Sequence, residues 1–341
     1  MMNLQLFRSW RNEDHHRFNQ MQSQQQQQQI WQESIDPSKL VLGKIVGRGS
    51  FGVVHKGSYQ GQTVAVKVLD FGDARITEAS VEFVKKDFIK EVNLWKNLHH
   101  PNITKMIGAT MSMTMDCGNK IKKSKQKLKT ESNFCIVSEY VKGGTLRSYL
   151  SKNRHKKLPL KTVLRLALDI AKGLSYLHSK KIMHCDVKPE NMLIDEQHII
   201  KLADFGESRF ESFELLLVRS GEIGTRGYMA PEVVSRKPYG HKCDVYSFGI
   251  CLWEIYCCEC AYTFNLDNIT ADIYKDLRPS VPVSCPRSLA GLMERCWETD
   301  PRKRPEMKDV VVELEEIGKF ETMSENLEPR CGFFGLFGLG R

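Results

Sequence analysis

The pattern of apolar and polar positions changes period at Gly143-Gly144. Before it, residues 40–46, 53–59 and 63–69 form β-branched, apolar runs punctuated by glycines, which predicts three strands. Gln60-Gly61 fits a tight turn between the last two, so an antiparallel meander is expected. A helix over about 82–98 follows, then short strands near 104–108 and 134–140. After the glycine pair, Val163, Leu164, Ala167, Leu168, Ala171, Leu174 and Leu177 recur at three and four residues. That spacing predicts a long amphipathic helix buried along one stripe. A small hairpin, 191–194 and 198–204, comes next, then helices over 247–256, 288–297 and 307–317. The expected architecture is α+β, with a β-rich lobe over about 40–141 and a larger helical lobe over about 142–318.

Composition adds three segments outside this pattern. Residues 1–34 are rich in Gln, with an unbroken run from Gln24 to Gln29, and read as a disordered extension with too few apolar anchors to order it. Residues 117–132 carry six lysines between Lys120 and Lys129 and read as a solvated insertion. Residues 319–341 end in a Gly/Phe-rich stretch and read as a flexible tail. The net charge of +9 is held by two stretches, the insertion at +5 and residues 152–157 at +4. Surface loops outside the chemical motifs therefore carry the excess. No aromatics interleave with the lysines, so no nucleic-acid partner is expected. No apolar run of about 18 residues occurs, and the first 20 residues hold no apolar signal core, so neither a membrane span nor secretion is expected. A cytoplasmic protein is expected, with nuclear entry left open. Eleven cysteines without a regular framework read as free thiols. Cys257, Cys258 and Cys260 lack a second ligand pair and read as buried thiols, and Cys331 offers a site for acylation that would add a peripheral membrane anchor.

The chemistry sits in four separated motifs. Gly47-Arg48-Gly49-Ser50-Phe51-Gly52-Val53-Val54 can bring backbone amides close to phosphate oxygens, although alone it would equally suit an ordinary turn. A dinucleotide site would need a helix after the last glycine, and a strand follows instead. Lys67 lies in an apolar strand beneath that loop, where it can reach phosphates if a carboxylate positions it, and Glu91 on the expected helix is the best partner. Asp186 and Asn191 stand in His184-Cys-Asp-Val-Lys-Pro-Glu-Asn191, with Asp204-Phe-Gly206 18 residues beyond Asp186. Phosphoryl transfer needs a carboxylate to accept or orient a hydroxyl, for which Asp186 serves, and hard oxygen ligands for Mg²⁺, for which Asn191 and Asp204 serve. Lys188 can neutralise the transferred group.

These motifs, in this order, make the chain resemble the protein kinase family over about 40–317. The resemblance implies a two-lobed fold and ATP as substrate, with Mg²⁺, or Mn²⁺ as a substitute. It implies that Val46, Gly47, Arg48, Gly49, Ser50, Phe51, Gly52 and Val54 cover the nucleotide, and that Ala65 and Leu193 sandwich adenine. Ser138 becomes the gatekeeper and residues 139–141, with Glu139 and Val141, the hinge. Residues 204–232 become the activation segment, in which Ser208, Ser212 and Ser220 are phosphosite candidates. Thr225 with Lys188 resembles the serine/threonine pattern, in which both contact the catalytic Asp. Glu232 with Arg304 would form a buried ion pair, and Asp244 would hold the catalytic loop's backbone. Within kinases, residues 35–40, 105–110, 243–258 and 304–308 are most similar to plant Raf-like mitogen-activated protein kinase kinase kinases. That likeness implies a signalling enzyme acting on Ser/Thr of proteins, downstream kinases among them, and on itself. Cys185 stands where most kinases carry Arg, which removes one contact to a phosphorylated segment and implies activity without loop phosphorylation. The rival reading is a pseudokinase scaffold that binds partners without phosphotransfer.

Overall fold

The computed structural model describes residues 35–49, 52–69, 78–114, 132–154, 156–211 and 224–327. The Gln-rich extension, Ser50, Phe51, nearly all of the lysine-rich insertion, Ser212, Ser220 and Cys331 lie outside the described residues. Five antiparallel strands form the first layer: β1 (Leu40–Gly49), β2 (Gly52–Tyr59), β3 (Gln62–Val68), β4 (Met106–Thr114) and β5 (Ser132–Glu139), in the order β1-β2-β3-β5-β4. Helix α1 (Glu78–Trp95) packs on it. Val64, Val66 and Val68 alternate into a small core with Leu40, Cys135 and Val137. Ile35 donates its amide to Ala109 O at 3.2 Å and is itself buried, fastening the segment before β1 to the sheet.

The second layer is helical: α2 (Leu146–Lys152), α3 (Leu160–Ser179), α4 (Pro231–Val234), α5 (Lys242–Cys257), α6 (Ala271–Tyr274), α7 (Arg287–Cys296) and α8 (Met307–Leu327). Short pairs β6 (Ile182–Met183) with β9 (Arg209–Phe210), and β7 (Met192–Ile194) with β8 (Ile200–Leu202), lie between the layers' loops. Helix α3 buries Val163, Leu166, Ala167, Ile170, Leu174 and Leu177, each large side chain contributing about 1.5–3 kcal/mol. One core runs from Phe88, Val92 and Ile136 of the sheet lobe into α3 and α5. The two-lobed α+β arrangement expected from the sequence is present.

Element boundaries differ from expectation where pairing or packing extends a weak local pattern. β1 reaches Gly49 rather than 46, because Gly47 and Gly49 pair with Val54 and Gly52. β4 and β5 extend to Thr114 and from Ser132, since Thr114 pairs with Ser132 across the base of the insertion. Helix α1 starts at Glu78 and ends at Trp95, earlier than 82–98 at both ends. Helix α5 begins five residues before 247, and α8 continues to Leu327, so residues 319–327 are helix rather than flexible tail. Cys260 is exposed and Cys257 half-buried, so only Cys258 of that trio is the buried thiol expected.

Candidate active site

On either side of Ser50 and Phe51 the glycine loop is a two-stranded ribbon. Arg48 pairs with Val53 and Gly49 with Gly52. Gly52 has φ 144°, and a Cβ there would lie 2.1 Å from Val68 O, so the turn out of the loop admits glycine alone. Val46 is exposed and Val54 half-buried at the loop's base. Ala65 pairs with Ser138, and Val64 with Glu139, which carries β3 directly beside the connector between the lobes. Ser138 and Val141 are buried. The Glu139 carboxylate accepts from Lys105 N at 2.8 Å and Lys201 Nζ at 3.0 Å, so it braces the connector. Leu193 sits opposite Lys201 in the β7-β8 hairpin and bridges to Thr145 at the start of α2.

Beneath the loop, Lys67 Nζ lies 2.9 and 3.1 Å from the two oxygens of Glu91 and 2.8 Å from Asp204 Oδ1. Burial by itself would lower the Lys67 ammonium, but the Glu91 and Asp204 carboxylates outweigh it and hold the group above its ordinary value. Burial likewise opposes ionisation of Asp204, yet Lys67 overcomes it and keeps that carboxyl below the usual range. Glu91 is fully buried, and burial raises it despite Lys67. One ammonium thus serves two carboxylates, and Asp204 keeps its negative charge more firmly than Glu91. Asp204 has φ 64°, a left-handed turn that carries Phe205 into the core against Trp95 and His184, with ring centroids 5.2 and 5.4 Å away.

The base of the cleft is a hydrogen-bonded knot around Asp186. Thr225 Oγ1 donates to Asp186 Oδ1 at 2.8 Å, and Lys188 Nζ donates to Thr225 Oγ1 at 2.7 Å while lying 2.7 Å from Asp186 Oδ2. Asn191 Nδ2 donates to the Asp186 carbonyl at 2.9 Å and to Oδ2 at 2.8 Å. Gly224, at φ 95°, approaches so closely that a Cβ would meet Cys185 O at 2.6 Å. The loop's backbone is held from behind by Asp244, which accepts from His184 N at 2.8 Å and Cys185 N at 2.9 Å, with His178 Nε2 at 2.9 Å. Burial opposes the Asp244 charge, but these donors outweigh it and lower its pKa. Glu232 and Arg304 form a bidentate pair at 2.6 and 2.7 Å, both buried.

The structure therefore gathers Lys67, Glu91 and Asp204 into one cluster and Asp186, Lys188, Asn191 and Thr225 into a second. Ser208 is placed differently from expectation. It is buried, and its hydroxyl donates to His184 O at 3.1 Å, so in this conformation it packs against the catalytic loop instead of meeting solvent. Sequence reading missed Trp95, His178, Lys201 and Arg147. Trp95 closes helix α1, and its indole donates to Thr104 O at 2.6 Å, but nothing local marks it as the residue packed against Phe205. The donor set suits a hard divalent cation: a carboxylate from Asp204 and, since its amide nitrogen is committed to Asp186, the amide oxygen of Asn191.

This geometry agrees with the comparisons. Residues 40–314 match the family model described as protein tyrosine and serine/threonine kinase. The serine/threonine-protein kinase STY46 of Arabidopsis thaliana is 36% identical over 312 residues, covering 91% of this chain and 49% of that protein. A putative serine/threonine-protein kinase/receptor of Acanthamoeba polyphaga mimivirus, R826, is 36% identical over 283 residues, 82% of this chain and 15% of that protein. The serine/threonine/tyrosine-protein kinase HT1 of Arabidopsis thaliana is 36% identical over 284 residues, 83% of this chain and 67% of that protein. The chain spans about half or less of the length of the first two. It belongs to the protein tyrosine and serine/threonine kinase family, and serine/threonine-protein kinases of Arabidopsis thaliana are among its relatives.

Proposed function

We propose that the protein is an ATP-dependent kinase that transfers the γ-phosphoryl group to serine and threonine of protein substrates. The observation that carries the reading is the Asp186 knot: a carboxylate held by Asn191 and Thr225, with a lysine 2.7 Å away. Asp186 orients the acceptor hydroxyl and takes its proton, and Lys188 offsets charge on the transferred group. Lys67, held by Glu91, positions the phosphates of the substrate ATP, which the glycine loop covers. Asn191 and Asp204 would hold Mg²⁺, which when bound neutralises phosphate charge. The Thr225–Lys188 contact supports hydroxyl acceptors of the serine/threonine type.

The likeness to Raf-like kinases supports a place in intracellular signalling, upstream of other kinases, with autophosphorylation. Cys185 supports activity without loop phosphorylation, because the segment's anchoring arginine is replaced by a thiol. Replacing Ser208, Ser212 and Ser220 by Ala together should leave turnover within about twofold of the parent. Lost turnover with folding and ATP binding intact would overturn that point. For the main reading, the test is radiolabelled transfer from Mg²⁺-ATP to casein followed by phosphoamino-acid analysis. Phosphoserine and phosphothreonine are expected from the parent and background from Asp186→Asn. Equal background counts in both would favour a scaffold, and phosphotyrosine alone would overturn the acceptor class.

A further inference from the structure

Helix α5 carries Asp244 in its first turn, and from there Asp244 holds the catalytic loop, yet the helix has no side-chain cap of its own. Its N-terminus is closed from outside. Glu211, which follows β9 in the activation segment, accepts from His241 N at 3.0 Å through Oε1. The same carboxylate meets the ring at His241 Nδ1, with Oε1 at 2.8 Å and Oε2 at 3.1 Å. A Cβ on Gly240 would lie 2.5 Å from Glu211 Oε1, so the bare backbone there leaves room for the approach. From behind, Glu211 is fastened by its own amide, which donates to Lys181 O at 2.7 Å.

The other ring nitrogen is also taken. His241 Nε2 lies 2.9 Å from Oε2 of Glu306, the residue before α8, and Lys242 Nζ lies 2.7 Å from Glu306 Oε1. A carboxylate only accepts hydrogen bonds, so both ring nitrogens must carry hydrogen to satisfy these contacts, and that form is the imidazolium. The surroundings are mixed in sign. Lys242 also donates to Arg304 O at 2.6 Å, Arg304 itself is paired with Glu232, and the Lys181 charge bears on Glu211. The His178 ring stands 5.0 Å from His241, and its Nε2 lies 2.9 Å from Asp244 Oδ2. Burial opposes the charges of Glu211 and Glu306, but hydrogen bonds from His241 and, for Glu306, from Lys242 outweigh it and lower both. The two carboxylates therefore stay ionised at neutral pH, and the proton on His241 is the part that varies.

We propose that His241 is a positioning residue for the catalytic loop: its imidazolium ties Glu211 to Glu306 and so sets the helix turn from which Asp244 holds His184 and Cys185. This role rests on the phosphotransfer reading, because the residue after Cys185 is the base Asp186. Loss of the proton leaves one ring nitrogen as an acceptor facing a carboxylate, and that contact opens. The tie is full where both carboxylates are ionised and the ring is protonated, and it is lost as pH rises.

The test measures kcat on casein at saturating Mg²⁺-ATP, with the full chain, from about pH 6 to about pH 9. Parent, His241→Gln and Glu306→Gln are compared as ratios, so ionisations shared by all three cancel. The parent's advantage over His241→Gln should shrink by about threefold toward high pH, the scale of one solvent-screened ion pair. Glu306 is 41% exposed, and in Glu306→Gln the new amide can donate to an unprotonated Nε2 while Nδ1 keeps Glu211. That variant should therefore gain on the parent by a similar factor over the same range. A merely structural histidine would give ratios flat in pH, and that result in an active enzyme would overturn the proposal. Urea midpoints of the same proteins without nucleotide read the tie independently of phosphotransfer, and the difference between parent and His241→Gln should narrow as pH rises. An inactive parent with a narrowing difference would overturn the kinase reading and support the tie; a constant difference would overturn the tie itself.

Discussion

Asp244 shows how one buried carboxylate fixes the backbone of a whole loop. Its charge is held by two backbone amides of the catalytic loop and by His178, and its pKa is lowered in spite of burial. A lowered carboxyl contributes stability that is full above the unfolded value near 3.8 and is lost as pH falls through the folded pKa. Urea midpoints measured between pH 6 and pH 2.5 should therefore fall on the acid side in the parent. Asp244→Asn should start lower and lose part of that acid slope. At Thr225, replacement by Val removes the hydroxyl that links Lys188 to Asp186 and should lower kcat by about tenfold, with unchanged melting, in steady-state assays. Lys67, Glu91, Asp186, Asn191 and Asp204 were legible in the sequence because chemistry restricts residue type at each of these positions. Arg147, His178 and Lys201 were not, because arginine, histidine and lysine on a helix or strand are ordinarily surface residues, and only the fold turns them toward Glu190, Asp244 and Glu139.

Among elements, α1 and α2 matter most because each carries a charge to the cleft. Helix α1 presents Glu91 from the same face as Phe88 and Val92, so its packing and its chemistry share one stripe. Helix α2 is only seven residues long and is capped by Thr145, whose hydroxyl accepts from Ser148 N at 3.1 Å. Thr145→Ala should cost about 1 kcal/mol of stability in urea unfolding, the usual worth of such a cap. The long helix α3 was readable from its stripe, and Leu174→Ala at its centre should cost about 2–5 kcal/mol. The ends of β4, β5, α5 and α8 were less readable. Met106–Thr114 lacks strict alternation and becomes a strand only through pairing with β5, a partner that lies across the lysine-rich insertion. Residues 319–327 are largely polar, and α8 simply continues the helix that buries Val310, Leu314 and Ile317.

The molecule as a whole divides its charge by role. Its buried ions are paired: Lys67 with Glu91 and Asp204, Arg304 with Glu232, and Arg147 with Glu254. Arg304 has no exposed side-chain surface, so Arg304→Met would leave Glu232 buried without a counter-charge and should cost about 3–5 kcal/mol in denaturant unfolding. The +9 excess is carried elsewhere, in the insertion and in residues 152–157, where Lys156 and Lys157 are exposed. Catalytic and surface electrostatics are thus separate. The most direct test of the phosphotransfer account compares ATP affinity with turnover in the parent and in Asp186→Asn. The account predicts a Kd for Mg²⁺-ATP within about twofold of the parent and a kcat lower by about 10²–10⁴-fold. Turnover that survives in Asp186→Asn at the parent's rate would contradict it.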